Sequence, residues 1–235
     1  MRQLVLAVAF AATFGNIECV TAQNAEDVRA VPTAKAPFHV PAFQNDYVTL
    51  LNVYIPSGRD TGYHVHTLDM LTVIVEDADT MGQILGRLPN PAAHSRRGRL
   101  NFSAYGKQPQ THNVTNIGST PFHIVALEFL SPRSGGFTPS LRAEVPGYTL
   151  IMDNERLRAW RLALEPGQSV AAVTQQAPGI RVVVDGGELV EIVPGQPERA
   201  MAPKLGEFFW QEPGVTRAIR NTGTSRVDLV ELELK

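Results

Sequence analysis

Two histidines and an aspartate stand close together in "GYHVHTLDM" (62–70), and a third histidine stands in "QPQTHNVTNIG" (108–118). On a β-strand, residues i and i+2 point to the same face, so His64 and His66 aim two imidazoles into one space. Neutral imidazole binds Zn, Mn, Fe, Cu or Ni alike, and an H-x-H pair on a strand is a recurrent way to hold such an ion. The same pair also fits two surface histidines beside a turn. A third imidazole, His112, and a nearby carboxylate, Asp69, strengthen the case for a metal.

Strands must position these residues. Short runs of β-branched and aromatic residues alternate with Gly, Pro, Asn and Asp turns: "YVTLLNVYI", "LTVIV", "MGQIL", "RLNFSAY" and "FHIVALEFL". No window shows a 3.6-residue period, which predicts an all-β barrel or sandwich. The second half repeats the first. "NDYVTLLNVYIPSG" (45–58) lies over "NERLRAWRLALEPG" (154–167) without a gap, and the same offset of 109 sets "LTVIV" on "IRVVV". "NIGSTPFHIVALEFL" (116–130) then matches "NTGTSRVDLVELELK" (221–235) at an offset of 105. Two homologous β-units result, at 44–135 and 153–235, joined by a linker at 136–152 with Gly, Pro and Ser at frequent intervals. Residues 23–43, rich in Ala and Pro, read as an extended lead-in arm, with the ordered part beginning near Gln44.

"PSGRDTGYHVHTLDMLTVIV" and "PQTHNVTNIGSTPFHIVALEFL" resemble the two motifs of the cupins. In that family a Gly-led turn introduces a strand bearing H-x-H and then an acidic residue, and a distant strand bears the third His with a following Asn. The resemblance covers both halves, so the chain resembles a bicupin, and it implies two jelly-roll-type β-barrels in tandem. It also implies that His64, His66 and His112 are metal ligands converging on the barrel interior, with Asp69 the candidate acidic ligand. The pattern departs from the family in two places. Met70 stands where the family's Glu belongs, with Asp69 one residue earlier and one methylene shorter, and Pro109 stands where Gly is expected before His112. Asp69 therefore has other readings, facing outward or hydrogen-bonding a ligand histidine.

At the corresponding positions of the second unit His64 becomes Val173, His66 becomes Gln175, Asp69 becomes Pro178 and His112 becomes Arg217. The C-terminal barrel therefore reads as a structural partner without metal, whose Arg217 could hold an anion or pair with a Glu. His39, His94 and His123 receive no role. Tyr54, Phe102 and Tyr105 read as core or as walls of a pocket.

Three histidines and at most one carboxylate leave open positions on one divalent transition metal (Fe, Mn, Ni, Cu or Zn), the arrangement of a catalytic site. No G-x-S-x-G nucleophile motif competes with it. The resemblance implies a metal-dependent small-molecule enzyme, with a dioxygenase of the quercetinase-like kind as the sharper expectation and a Lewis-acid isomerase beside it. The alternative is a non-catalytic protein that binds a small ligand or a metal. Family analogy adds pairing of barrels into a homodimer, or docking of the 23–43 arm on a neighbour.

The whole chain sets further bounds. Its 235 residues carry a formal net charge of -2 and 43% hydrophobic residues, ordinary for a globular protein. That balance excludes a nucleic-acid partner, and "RRGR" (96–99) reads as a solvated loop. The apolar run 4–14 behind Arg2 is too short to span a bilayer. It fits a signal peptide cleaved after Ala22, which predicts a secreted or periplasmic protein. Cleavage there removes Cys19, the single cysteine, and with it disulfides and thiol chemistry.

Overall fold

The computed structural model describes residues 29–131 and 135–235. The expected leader, its cleavage point at Ala22 and Cys19 lie outside the described residues. Within them the chain is all-β apart from two short 3-10 turns, Thr33–Lys35 and Arg142–Glu144. No helix among the described residues is long and apolar enough to cross a membrane.

The strands form four sheets. The first orders Val31–Pro32, His64–His66, Gln110–Asn116, Ala78–Ile84 and Ala93–Ser95. The second orders His39–Gln44, Val48–Ile55, Phe122–Phe129, Met70–Ile74 and Leu100–Ser103. These two sheets close the first unit around Leu51, Val53, Ile55, Ile74 and Phe122. The second unit repeats the plan. Its third sheet orders Tyr148–Asp153, Leu157–Leu164, Val227–Leu234, Gly179–Asp185 and Phe208–Gln211, and its fourth Ser169–Thr174, Thr216–Asn221, Leu189–Ile192 and Arg199–Met201.

The second and third sheets also pack against each other. Alternate residues of one strand serve two cores, because successive side chains of a strand point to opposite faces. Leu51, Val53 and Ile55 face the barrel interior, while Val48 and Leu50 join Leu157 and Ala159 between the units. The shared core is symmetric in the repeat. Val48, Leu50, Leu71, Val73 and Val75 meet their counterparts at an offset of 109, Leu157, Ala159, Ile180, Val182 and Val184. Val125, Leu127 and Phe129 meet Val230, Leu232 and Leu234 at an offset of 105. Each fully buried aliphatic side chain there contributes about 1.5–3 kcal/mol.

The lead-in arm and the linker are corrected by the structure. Val31–Pro32 pairs with His64–Val65, and His39–Gln44 pairs along Val48–Ile55. Order therefore starts well before Gln44. The prolines that hid it are tolerated because both strands are sheet edges, where a missing N–H breaks no ladder. Tyr148–Asp153 likewise opens the second unit from inside the presumed linker. Both opening strands carry a bulge at matching places, between Pro41 and Phe43 and between Leu150 and Met152. The extra residue reverses the pleat. His39 thereby stands opposite Val53 of the barrel interior, while Phe43 turns outward to stack on Trp210 with ring centroids 5.6 Å apart.

Asn116 and Asn221 are fully buried and do the same work in each unit. Asn116 donates its amide to Ile55 O and Thr120 O and accepts from Gly118 N. Asn221 donates to Leu164 O and Ser225 O and accepts from Gly223 N. Each replacement by Ala removes hydrogen bonds to three backbone groups, one buried and two part-buried, with an expected loss of about 2–4 kcal/mol. Urea unfolding of N116A and N221A checks this, and near-equal losses in the two variants mark the role as structural.

Candidate metal centre

The strand His64–His66 runs antiparallel to Gln110–Asn116 with His64 directly opposite His112. That register, together with the i, i+2 spacing, brings three imidazoles to one point. His112 Nε2 lies 3.1 Å from His66 Nε2 and 3.2 Å from His64 Nε2. Two imidazole nitrogens bound at right angles on one metal, each at about 2.1 Å, stand about 3.0 Å apart. Both distances from His112 match that spacing, and His64, His66 and His112, with ligand atoms all within 4.8 Å of one another, form a metal-competent group.

The hydrogen bonds behind the rings fix their tautomers. His64 Nδ1–H donates to Gly62 O at 3.1 Å, which leaves Nε2 as a lone pair. The Thr33 hydroxyl donates to Val65 O at 2.9 Å, so it accepts from His66 Nδ1–H at 3.1 Å. His66 Nε2 is then a lone pair as well. Burial holds the three rings far below the ordinary histidine range, at about 3 for His64, about 2 for His66 and about 4 for His112, and neighbouring imidazoles add to the effect. Two facing lone pairs and a third neutral ring call for a cation between them.

Asp69 is not part of this group, contrary to the expectation from sequence. It sits in the break between His64–His66 and Met70–Ile74, where the chain passes from the first sheet to the second and the two-residue period lapses. Its carboxylate accepts from Gly106 N at 3.0 Å and faces the buried Arg156 at 3.5 Å. Arg156 belongs to the second unit and also donates to Ser131 O at 2.6 Å, so Asp69 serves the joint between the units.

Two residues near the triad were missed, both in the presumed arm. Thr33 orients His66, as described, and the His39 ring lies 4.8 Å from that of His64. His39 Nδ1–H donates to Pro37 O at 2.9 Å, and burial lowers its pKa. The residue before it, Phe38, holds a φ of +67°, a left-handed conformation that bulky side chains rarely adopt. The repeat itself carried the signal: at the offset of 109, "TAKAPFH" (33–39) lies over "RAEVPGY" (142–148), matching the two 3-10 turns. Tyr105 stacks on His66 with centroids 4.7 Å apart and planes at 19°. The imidazoles open on a cavity of about 250 Å³ whose apolar wall includes Ile55, Ile74 and Phe122.

The second unit has the same frame and another filling. Val173 stands opposite Arg217 as His64 stands opposite His112. Arg142, the counterpart of Thr33, reaches Gln175, the counterpart of His66, and pairs with Glu231 and Glu233. Its guanidinium lies 5.0 Å over the Trp160 ring. A tethered cation occupies this interior.

Four outcomes follow. Elemental analysis of H64A, H66A and H112A should show loss of the bound metal. D69N should keep its metal but lose about 3 kcal/mol in urea unfolding, because Arg156 is left buried without its carboxylate. T33V should weaken metal affinity by about 10–100-fold in chelator competition, since the His66 ring loses its orienting acceptor. The unfolded chain takes up protons near pH 6.5 whereas the native rings do so only at about 2–4, so stability of the metal-free protein falls as pH drops below about 6.5. A lower urea midpoint at pH 5 than at pH 7.5 is the check.

No family model matches the sequence, and no curated relative does. Solved structures do match. AerE from Microcystis aeruginosa is 12% identical, with 85% of this chain and 98% of that chain covered at a TM-score of 0.59. A cupin 2 conserved barrel domain protein from Leptotrichia buccalis is 9% identical over 84% of this chain and 88% of its own, at a TM-score of 0.53. A variant of salicylate 1,2-dioxygenase from Pseudoaminobacter salicylatoxidans, in complex with gentisate, is 14% identical over 92% of this chain and 76% of its own, at a TM-score of 0.55. These likenesses, with the paired sheets and their register, give this chain the fold of the cupin barrels.

Proposed function

We propose that this chain is an exported bicupin enzyme that uses one divalent transition metal on a small molecule, with an oxygenase of the quercetinase-like kind as the sharpest form of the reading. The observation that carries it is the convergence of three uncharged imidazole nitrogens, two from buried and one from half-buried histidines, at the edge of a cavity. A metal held by His64, His66 and His112 would supply Lewis acidity and open positions for a chelating substrate. The chain's own residues do the rest. Gly62 O and Thr33 lock two ligand rings, the Tyr105 ring packs flat on His66, and Ile55, Ile74 and Phe122 offer apolar surface to a bound molecule. The fold neighbour in complex with gentisate supports a small aromatic substrate class. Export rests on the leader-like N-terminus.

A second reading has one observation in its favour. Among the described residues, those that line the cavity include no Asp or Glu, so none of them sets a carboxylate base beside the imidazoles. That suits a protein that captures a metal or a small ligand without turning it over. Oxygen uptake and product formation separate the two. The untagged protein, loaded in turn with Fe, Mn, Ni, Cu or Zn, is offered catechols, flavonols, β-diketones and gentisate. Metal-dependent turnover lost in H112A supports the enzyme, whereas saturable binding with no turnover under any metal favours the binder.

A further inference from the structure

The second unit opens on a cavity of its own, about 490 Å³, whose lining includes Arg181, Glu191, Met201, Phe209, Val215 and Arg217. Its ion pairs are unevenly shared. Glu231 pairs with both Arg142 and Arg181, and Glu233 pairs with Arg142 while accepting from Ser140 N and Oγ at 2.7 Å each. Glu191 lies 3.1 Å from Arg181 Nη1. Arg217, the third arginine, approaches Glu191 only to 3.9 Å, and its Nε is buried without a hydrogen-bond partner among the described residues. Every carboxylate of the cluster thus has a closer cation, and Arg217 is the one left with donors to spare.

Its position gives those donors a direction. By register Arg217 holds the place that His112 holds in the first unit, and each lines a cavity. The guanidinium is a planar fork that matches a carboxylate in two parallel hydrogen bonds. Phe209, Met201 and Val215 set apolar surface beside it. Burial works against the charge of Arg217, and an anion at this point would offset that cost.

We propose that the second unit binds a small organic carboxylate with an apolar body, its carboxylate on Arg217 and its body against Phe209, without any metal. This site is separate from the histidine centre and does not rest on the function assigned to it.

Calorimetric titration of the full chain with benzoate tests the proposal, with acetate and inorganic phosphate as comparison probes. Saturable one-to-one binding of benzoate is expected, weaker by about tenfold or more for acetate, which lacks the apolar body. R217M should weaken benzoate by about tenfold or more, R217K by less because the charge stays but the fork is lost. H112A should bind benzoate as the wild type does. If R217M fails to fold, the smaller loss in R217K carries the test. Absence of saturable binding, affinity unchanged in both Arg217 variants, loss of binding in H112A, or phosphate bound as tightly as benzoate would each overturn it.

Discussion

Strands with both faces buried hold this molecule together. Along Val48–Ile55 one set of side chains closes a barrel while the alternate set meets the other unit, and Leu157–Leu164 does the same from its side. Neither unit can shed its partner without opening an apolar sheet face to water, at a cost that scales with the area exposed. The rest follows from that clamp. It fixes the second and third sheets back to back, and the first and fourth sheets carry polar residues such as His64, His66, His112 and Arg217. Asp69 and Arg156 add a polar tie at its margin, with the Arg156 guanidinium 5.0 Å over the Phe129 ring.

Inside the barrels one frame holds two solutions to the same problem, which is polarity in a buried place. The first unit presents neutral donors, two of them oriented from behind by an oxygen, and suits an exchangeable ion. The second presents carboxylates and meets them with arginines built into the chain. Arg142 and Thr33 are equivalent in the repeat, and their difference in reach explains the contrast. The threonine stops at the back of His66, whereas the arginine extends into the interior and neutralises it.

Much of this was legible in the residues. The H-x-H period, the lone His112 and the repeat offsets point to the three histidines that converge and to the paired barrels. The loss of the second set is visible in Val173, Gln175 and Arg217. Asp69, which the resemblance left open between ligand and other roles, follows a change of sheet between His66 and Met70, and its carboxylate goes to Gly106 and Arg156. Thr33 and His39 escaped because edge strands tolerate prolines, so Pro32, Pro37 and Pro41 gave their segment the look of a linker. The ion-pair network of Glu191, Glu231 and Glu233 left no trace in spacing, because its partners come from strands far apart in the chain and meet only across the barrel.

The symmetry of the shared core has a consequence for descent. Equivalent positions of the two repeats line it from both sides, as the same surface patch does in an isologous contact between the subunits of a two-fold dimer. In such a dimer every substitution appears twice, and a mutation that spoils one centre spoils both. Joining the copies in one chain removes that constraint. One half then drifts into a new chemistry while its sibling keeps the old one, and the scaffold that both require is inherited intact.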